Sequence, residues 1–325
     1  MRFLLDTGQR DFADSLHAML TAADTPAVIR DWSRGDHASG RALWRRIAQA
    51  GVFGLAVPEE YGGLGPRPVE LAVAFVELGR HAVPGPLVET VAAAVLLGEG
   101  RQAERFLPGI AAGEIIATVA APGGYALDGD AATLRLSPTP GGLHLSPGAG
   151  PVRPSLDPAR RLTPPTPGGE LLAPDPPRAH ALAWARLATA AQALGVGLAL
   201  LDRTVAHVGQ RTQFGVPVGS FQAVKHRLAD AKTALEFARP LLFGAATSLR
   251  PGDVAAAKLK ACEAAYATAR AALQLHGAIG YTAEYDLSLW LTKARALRTA
   301  WGTPDECRGA VLDDATEPGG DSTRG

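Results

Sequence analysis

The chain has 325 residues, no formal net charge and 47% hydrophobic residues, a composition typical of a globular protein long enough for two or three domains. The zero net charge and the lack of a strongly basic block argue against nucleic-acid binding. No uninterrupted apolar run approaches the roughly 20 residues that span a bilayer, and acidic residues come too early at the N-terminus for a secretory signal. We therefore predict a cytoplasmic protein without a membrane segment.

Cysteine and histidine are sparse and scattered. The two cysteines, Cys262 and Cys307, and the eight histidines show none of the short spacings typical of metal sites. In a cytoplasmic chain the cysteines are expected to be free thiols. The sequence therefore predicts no metal site.

The first part of the chain, residues 1–113, has helical periodicity. Phe12, Leu16 and Leu20 share one helix face, and Glu70–Gly79 forms a later helix for which Gly79 is a plausible C-cap. A loop rich in proline and glycine, VPEEYGGLG at Val57–Gly65, separates these patterns. These residues are expected to form a helical domain.

Residues 114–177 differ in composition. Thirteen of the chain's 25 prolines lie in residues 115–177, where two short alternating runs, Thr133–Ser137 and Leu143–Ser146, are separated by Gly/Pro turns. Such runs are typical of strands in a small, irregular sheet. We predict a reduced β-domain here.

The last part, residues 178–313, is helical again. Long apolar patterns occupy Ala179–Val208, Phe221–Ala246 and a stretch around Glu284–Arg298, and with one further helix they would make a four-helix bundle. The polar, glycine-rich residues 314–325 are expected to be a disordered tail. The further helix has a seam of mostly small residues at steps of four and three, namely Ala257, Ala261, Ala264, Thr268, Ala271 and Leu275.

The stretch Arg211–Asp230, RTQFGVPVGSFQAVKHRLAD, joins two of these helices through a turn rich in glycine and proline, with Ser220 a plausible N-cap for the second helix. It closely resembles the signature of the acyl-CoA dehydrogenase family, in which Arg-x-x-Phe-Gly is followed by Phe-Gln and a Leu-Ala-Asp helix. Two further matches follow the family order, Val57–Gly65 and Leu273–Leu287 (LQLHGAIGYTAEYDL). The resemblance implies a mainly α fold with a helical N-terminal domain, a β middle domain, here shortened, and a C-terminal four-helix bundle.

The resemblance also implies a flavin cofactor. In the family, the Arg of the turn and a later Gln-x-x-Gly element reach across a subunit interface to the pyrophosphate and adenine end of a neighbour's FAD, chemistry that suits the bidentate grip of a guanidinium on phosphate. Read without the family, Arg211 would cap a helix end, and Gly277 and Gly280 would form an ordinary turn. The implied FAD-binding positions are Arg211, Gln213, Phe214, Gln222, Gln274 and Gly277.

A catalytic base is missing from both places where the family carries a glutamate. The first position is Trp301, within Ala-Trp-Gly-Thr, and the second is Ala185, just before an arginine on the first bundle helix. Abstraction of the α-proton of an acyl-CoA needs a carboxylate there, while the flavin takes a hydride. Glu284, Glu236 and Asp286 are read as structural or solvated carboxylates, and no catalytic residue is assigned.

Other family features are absent too. The middle residues lack the family's Thr-Glu-Pro and Lys-Trp-Ile-Thr landmarks, which belong to the flavin-ring contacts. The Arg and Asp that usually follow the GYTAEY element are replaced by Leu289, Thr292 and Lys293. The half of the site that holds the flavin ring and the base is therefore lost, whereas the FAD-end motifs remain.

This split pattern predicts a heteromer. The chain resembles the small subunits of heterotetrameric (α2β2) acyl-CoA dehydrogenases that act on steroid side-chain CoA thioesters in cholesterol-degrading bacteria. The resemblance implies a homologous catalytic partner subunit, a shared FAD, an acyl-CoA or steroid-CoA substrate and an electron-transfer flavoprotein as acceptor. Two alternatives stay open: a self-sufficient homomeric dehydrogenase with an unusual base, and a flavin-free scaffold subunit.

Overall fold

A computed structural model describes residues 5–121 and 124–316. The predicted fold class is confirmed: α-helices dominate at both ends of the chain and a small β-region lies between them. The first helix begins with a capping box between Asp6 and Gln9. The N-terminal helices are α1 Thr7–Thr21, α2 Thr25–Arg34, α3 Ala38–Gln49, α4 Pro68–Arg80, α5 Leu87–Leu97 and α6 Arg101–Ala111.

The C-terminal part holds five α-helices: α7 Arg178–Gln210, α8 Gln222–Ser248, α9 Pro251–His276, α10 Leu287–Leu297 and α11 Pro304–Thr316. The first of these has 33 residues and packs against α4, α5, α8, α9 and α10. By length and composition α7 could cross a membrane, but its most apolar window is entirely buried inside the protein. It is the central helix of the core.

The close packing of α7 on α4 depends on two glycines. A Cβ on Gly79 would lie 2.1 Å from the Gln192 carbonyl oxygen, and one on Gly195 would lie 1.9 Å from the Val76 carbonyl oxygen. Neither contact is possible for a side chain, so any larger residue would push the two helices apart. Gly79 therefore serves the helix crossing rather than the predicted C-cap, and α4 continues to Arg80.

The β-region contains the two predicted strands near their expected positions. A sheet with the order β1-β3-β4-β6 pairs β1 with β3 in parallel and the others antiparallel, and β2 pairs with β5. Most strands are only two to four residues long, as the many prolines require. The strands are β1 Ala117–Val119, β2 Ala126–Leu127, β3 Leu134–Thr139, β4 Gly142–Leu145, β5 Leu162–Thr163 and β6 Leu171–Ala173.

The helix ends differ in detail from the sequence prediction. Helix α8 begins after Phe221 without a side-chain cap, because the Ser220 hydroxyl donates to the Pro217 carbonyl instead. Helix α11 was not predicted, and it extends to Thr316, so it includes the first three residues of the expected tail. The rest of that tail, 317–325, lies outside the described residues.

The seam of small residues on α9 faces the protein core, as its spacing predicted. Its first four members are buried, and Ala271 and Leu275 near the end of the helix are half-buried. Small side chains let α9 approach α7 closely, and these two helices form the most extensive contact between elements. This contact positions the surface described next.

Candidate functional site

The loop that carries the first base position is firmly fixed. The Arg186 side chain donates from Nε to the Trp301 carbonyl oxygen at 3.2 Å, and Lys258 Nζ donates to the carbonyl oxygens of Arg298 and Gly302. Lys258 is only 1% exposed, so its charge depends on these carbonyls for solvation. Trp301 itself has a left-handed φ of 57°, which these contacts hold in place.

The Trp301 indole meets a buried carboxylate. Its Nε1 donates to Glu89 Oε1 at 3.1 Å, and Glu89 is 5% exposed within α5. Burial raises the pKa of Glu89, and the cation of Arg160 opposes that rise. The second base position, Ala185, is fully buried on α7. Neither of the two predicted base positions therefore carries a carboxylate: one holds the Trp301 indole and the other the Ala185 methyl group.

Glu89 was not among the candidate residues predicted from the sequence. It is the only charged residue of α5, LVETVAAAVLL, and a lone charge in an otherwise apolar helix was the available signal. The three carboxylates considered instead lie at the surface. Asp286 pairs with Arg30 at 2.7 Å, the Glu284 backbone carbonyl accepts from the same arginine, and Glu236 lies 3.7 Å from an arginine one turn along α8.

Buried charges also connect the β-region to the helices. Lys293 and Asp157 are 3% and 2% exposed, and their charged atoms lie 3.7 Å apart. Burial lowers the pKa of Lys293, and the Asp157 carboxylate opposes this. Asp128 is also fully buried, and burial raises its pKa to about 7 although the Arg161 backbone N–H donates to it. Lys293 is one of the residues that replace the Arg and Asp expected after the GYTAEY element. Here its ion pair with Asp157 links α10 to the β-region.

The Arg-x-x-Phe-Gly turn is a small hairpin that projects from the bundle. Strands β7 Thr212–Gln213 and β8 Val216–Pro217 pair antiparallel, and the two turn residues, Phe214 and Gly215, have φ values of 53° and 78°. Positive φ at both central positions is the geometry that matches the twist of a two-residue hairpin. The turn leaves the Phe214 side chain 93% exposed, with Phe221 packed edge-on at 6.3 Å.

The polar side chains in and beside the hairpin are open to solvent, and the Gln213 amide donates to the Thr212 carbonyl oxygen at 3.0 Å. Arg211, Gln213 and Gln222 are all exposed. The Arg211 guanidinium makes no hydrogen bond or ion pair with residues 5–121 or 124–316. At the end of α7 it is the Arg211 backbone N–H that donates, to the His207 carbonyl oxygen. The reading of Arg211 as a side-chain helix cap is therefore not what the structure has.

The remaining two predicted residues line an open groove between α8 and α9. Its volume is about 830 Å³, and its polar lining includes Arg227, Asp230, Arg270 and Gln274. The guanidinium of Arg227 donates to the Gln274 side-chain oxygen, which holds the amide at the groove wall. Arginine and amide groups at one open surface are suited to phosphate and to a nucleobase.

Gly277 ends α9 with φ 65° and ψ −140°, a conformation that is almost restricted to glycine. A Cβ there would meet nothing within 4 Å. The space beside Gly277 is therefore open, and its predicted role in FAD binding stays a prediction. The glycine is required by the backbone turn.

Two stacked histidines bring these patches to one end of the bundle. The rings of His207 on α7 and His276 on α9 lie 4.1 Å apart with an interplanar angle of 22°. Arg211 follows His207 by one helical turn, and Gln274 precedes His276 by two residues. Burial lowers the pKa of both imidazoles, so the stack is favoured in its neutral form. The six predicted residues therefore fall into two neighbouring patches, the hairpin and the groove.

Comparison with known proteins agrees with this architecture. Residues 6–114 match the N-terminal domain of acyl-CoA dehydrogenases and residues 179–313 match the C-terminal domain. The chain is also 35% identical over 288 residues to the acyl-CoA dehydrogenase IpdE2 of Mycobacterium tuberculosis, covering 86% of this chain and 89% of IpdE2. The chain belongs to the acyl-CoA dehydrogenase family.

Two further proteins resemble this chain, one in sequence and one in fold. The acyl-CoA dehydrogenase FadE34 of Mycobacterium tuberculosis is 32% identical over 312 residues, which cover 85% of this chain but only 43% of FadE34. A chain from the crystal structure of the ChsE4–ChsE5 complex of the same organism superposes with a TM-score of 0.84 at 23% identity, over 98% of this chain and all of that chain. That structural likeness concerns the fold.

Proposed function

We propose that this chain is the non-catalytic subunit of a heteromeric, flavin-dependent acyl-CoA dehydrogenase. The observation that carries the proposal is the indole of Trp301, which stands at the family's base position and is hydrogen-bonded to the buried Glu89. A base must reach the α-carbon of the substrate. A tryptophan cannot accept that proton, and the loop around it is fixed by Arg186 and Lys258.

A self-sufficient homomer would need another base. Glu89 is the buried carboxyl in contact with Trp301, and its raised pKa resembles that of a tuned catalytic acid. However, Glu89 is 5% exposed and its Oε1 already accepts from the indole, so substrate could reach it only if the fixed loop moved. This burial supports a structural role for Glu89 and is consistent with a base supplied by a partner chain.

The FAD-end residues support a shared cofactor. The exposed guanidinium of Arg211 and the groove with Arg270 and Gln274 provide cations and amides for a diphosphate and an adenine. These groups fit the adenine-dinucleotide end of FAD. Bound there, FAD would supply hydride acceptance from the substrate's β-carbon, and this chain's residues would bind and orient its distal end.

The exposed aromatic residues of the hairpin support a protein partner. Phe214 is 93% and Phe221 38% exposed at the same tip, and exposed aromatic side chains are enriched at interfaces. The same surface carries Arg211, so a partner that covers the hairpin would also bring its FAD to the guanidinium. This joint surface disfavours the flavin-free scaffold.

The relatives support a partner of the same family and a steroid-type substrate. One structural relative is named as a complex of two chains, ChsE4 and ChsE5, and another, Tcur3481–Tcur3483, is called a steroid enzyme at 25% identity and a TM-score of 0.81. FadE34 is more than twice as long as the part that this chain matches, which leaves room for a second half of similar size. We infer a catalytic partner chain that acts on a bulky CoA thioester.

The test substitutes Arg211 in this chain and co-expresses the variant with a homologous acyl-CoA dehydrogenase chain that carries the catalytic glutamate. Arg211→Ala should lower FAD retention on gel filtration at least about tenfold, the loss of one charge-assisted phosphate contact, while the two chains still co-purify. Arg295→Ala on α10 is the matched control and should retain FAD. Unchanged FAD retention in Arg211→Ala would contradict the shared-cofactor role.

A further inference from the structure

A second cluster of chemically competent side chains lies away from the hairpin and the groove. His17 on α1, Glu77 on α4 and His81, which follows α4, bring one ligand-type atom each to within 4.8 Å of one another. His17 Nδ1 lies 3.0 Å from Glu77 Oε2 and 3.2 Å from His81 Nε2. Glu77 and His81 are four positions apart in the sequence, whereas His17 is 60 positions from Glu77 and reaches the cluster only through the packing of α1 on α4.

The three atoms have more lone pairs than protons to share. His17 Nδ1 can carry a single proton, which it can donate to Glu77 or to His81 but not fully to both. His81 Nε2 and Glu77 Oε2 both face His17 Nδ1, at 3.2 and 3.0 Å. One cation at the centre of the cluster would satisfy all three atoms together.

The distances suit a small divalent ion. Zinc bonds of about 2.0–2.1 Å in a tetrahedral site separate neighbouring ligand atoms by about 3.3 Å. The two contacts of His17 Nδ1, at 3.0 and 3.2 Å, are close to this separation, and the Glu77 and His81 ligand atoms lie within 4.8 Å of each other. The Glu77 side chain is 13% exposed and that of His17 is 50% exposed. This pattern leaves an entry path and a fourth position for water, while the carboxylate stays held.

Both cations and anions surround the cluster, and Arg203 as well as Arg80 lies near His81. Arg80 approaches Glu77 Oε2 to 3.8 Å from Nε, but its other end pairs with Asp202 at 2.8 Å. Asp14 adds a further negative charge near Glu77. Arg80 is therefore already neutralised and does not occupy the centre of the cluster.

We propose that His17, Glu77 and His81 form a binding site for a divalent transition-metal ion, with Zn²⁺ as the first candidate. Two imidazoles and one carboxylate form a donor set that favours Zn²⁺ and similar ions, whereas Mg²⁺ and Ca²⁺ favour sites made of oxygen ligands alone. The ion would join α1 to the end of α4. The proposal is independent of the flavin chemistry proposed above.

The test uses the full chain freed of metal with a chelator and titrated with Zn²⁺ by calorimetry. We expect one Zn²⁺ per chain and a rise in melting temperature. His17→Ala and His81→Ala should each weaken binding at least about 100-fold and abolish the thermal shift. His226→Ala, an exposed histidine on α8, is the matched control and should bind like the wild type.

Two results would overturn the proposal. One is the absence of saturable Zn²⁺ binding to the wild-type chain. The other is binding that survives in both histidine variants, which would place the ion elsewhere. Because His17 is half-exposed, His17→Ala is expected to fold, and circular dichroism of the variant without metal verifies this.

Discussion

A substitution at the hairpin tip should weaken assembly with a partner without affecting the folding of the lone chain. Phe214 is 93% exposed in the lone chain, so its ring contributes almost nothing to the core. If a partner buries the ring, Phe214→Ala removes about 2–3 kcal/mol of apolar burial per interface. That loss corresponds to an affinity about 30- to 150-fold weaker. The free energy of unfolding of the lone chain should change by less than about 0.5 kcal/mol.

The assay measures the dissociation constant of the two chains by sedimentation, alongside urea unfolding of each lone variant. Leu312→Ala is a suitable control, since Leu312 is 65% exposed on α11. The end of α11 lies near the start of α9, where Asp314 pairs with Arg250 at 3.0 Å, whereas the groove lies near the end of α9. The control should assemble normally. Wild-type affinity in Phe214→Ala would refute the assignment of the hairpin to the interface, and so would a large loss of stability in the lone variant.

Three further variants test the buried polar groups. The pKa of Asp128, raised by burial to about 7, means that the folded state holds this proton more tightly than the unfolded state, so stability falls as pH rises from about 4 to about 7. Between pH 5 and pH 8 the wild type should lose about 2.5 kcal/mol relative to Asp128→Asn, and the exposed Asp11→Asn should show no such difference in urea titrations. Trp301→Phe deletes the donor to Glu89 and should cost about 1–3 kcal/mol of unfolding free energy; a neutral result would mean that this hydrogen bond is not formed. Lys258→Met keeps the buried stem but cannot donate to the loop carbonyls, so amide exchange across 298–302 should accelerate, and an unchanged exchange rate would show that the loop is held by other contacts.

The fold could be predicted because its signals are local. Helical periodicity, the proline-rich middle and three short motifs in order are each readable along the chain, and the two longest strands fall close to where alternation predicted them. Helix ends were less predictable. Ser220 is a residue type that commonly caps helices, but its hydroxyl donates to the Pro217 carbonyl oxygen. Gly79 was predicted to end α4, but it allows α4 to pack closely against α7 at Gln192, 113 positions away in sequence.

The candidate site was only partly readable for the same reason. The vacant base positions follow from residue identity alone, whereas the indole–carboxylate pair of Trp301 and Glu89 joins residues 212 positions apart. Likewise, His207 and His276 unite the hairpin and groove only after α7 packs on α9. The contacts that a partner chain would make lie outside any reading of a single chain, so the FAD roles of Arg211 and Gln274 stay predictions.

The most direct test of the shared-site proposal is the flavin content of the protein. The chain is expressed alone and then together with a homologous acyl-CoA dehydrogenase chain that carries the catalytic glutamate, and flavin absorbance is measured per polypeptide. We predict a colourless lone chain and a complex that holds one FAD for every two chains. A lone chain that purifies yellow with one FAD each would contradict the proposal and would direct attention to Glu89 as an unrecognised base.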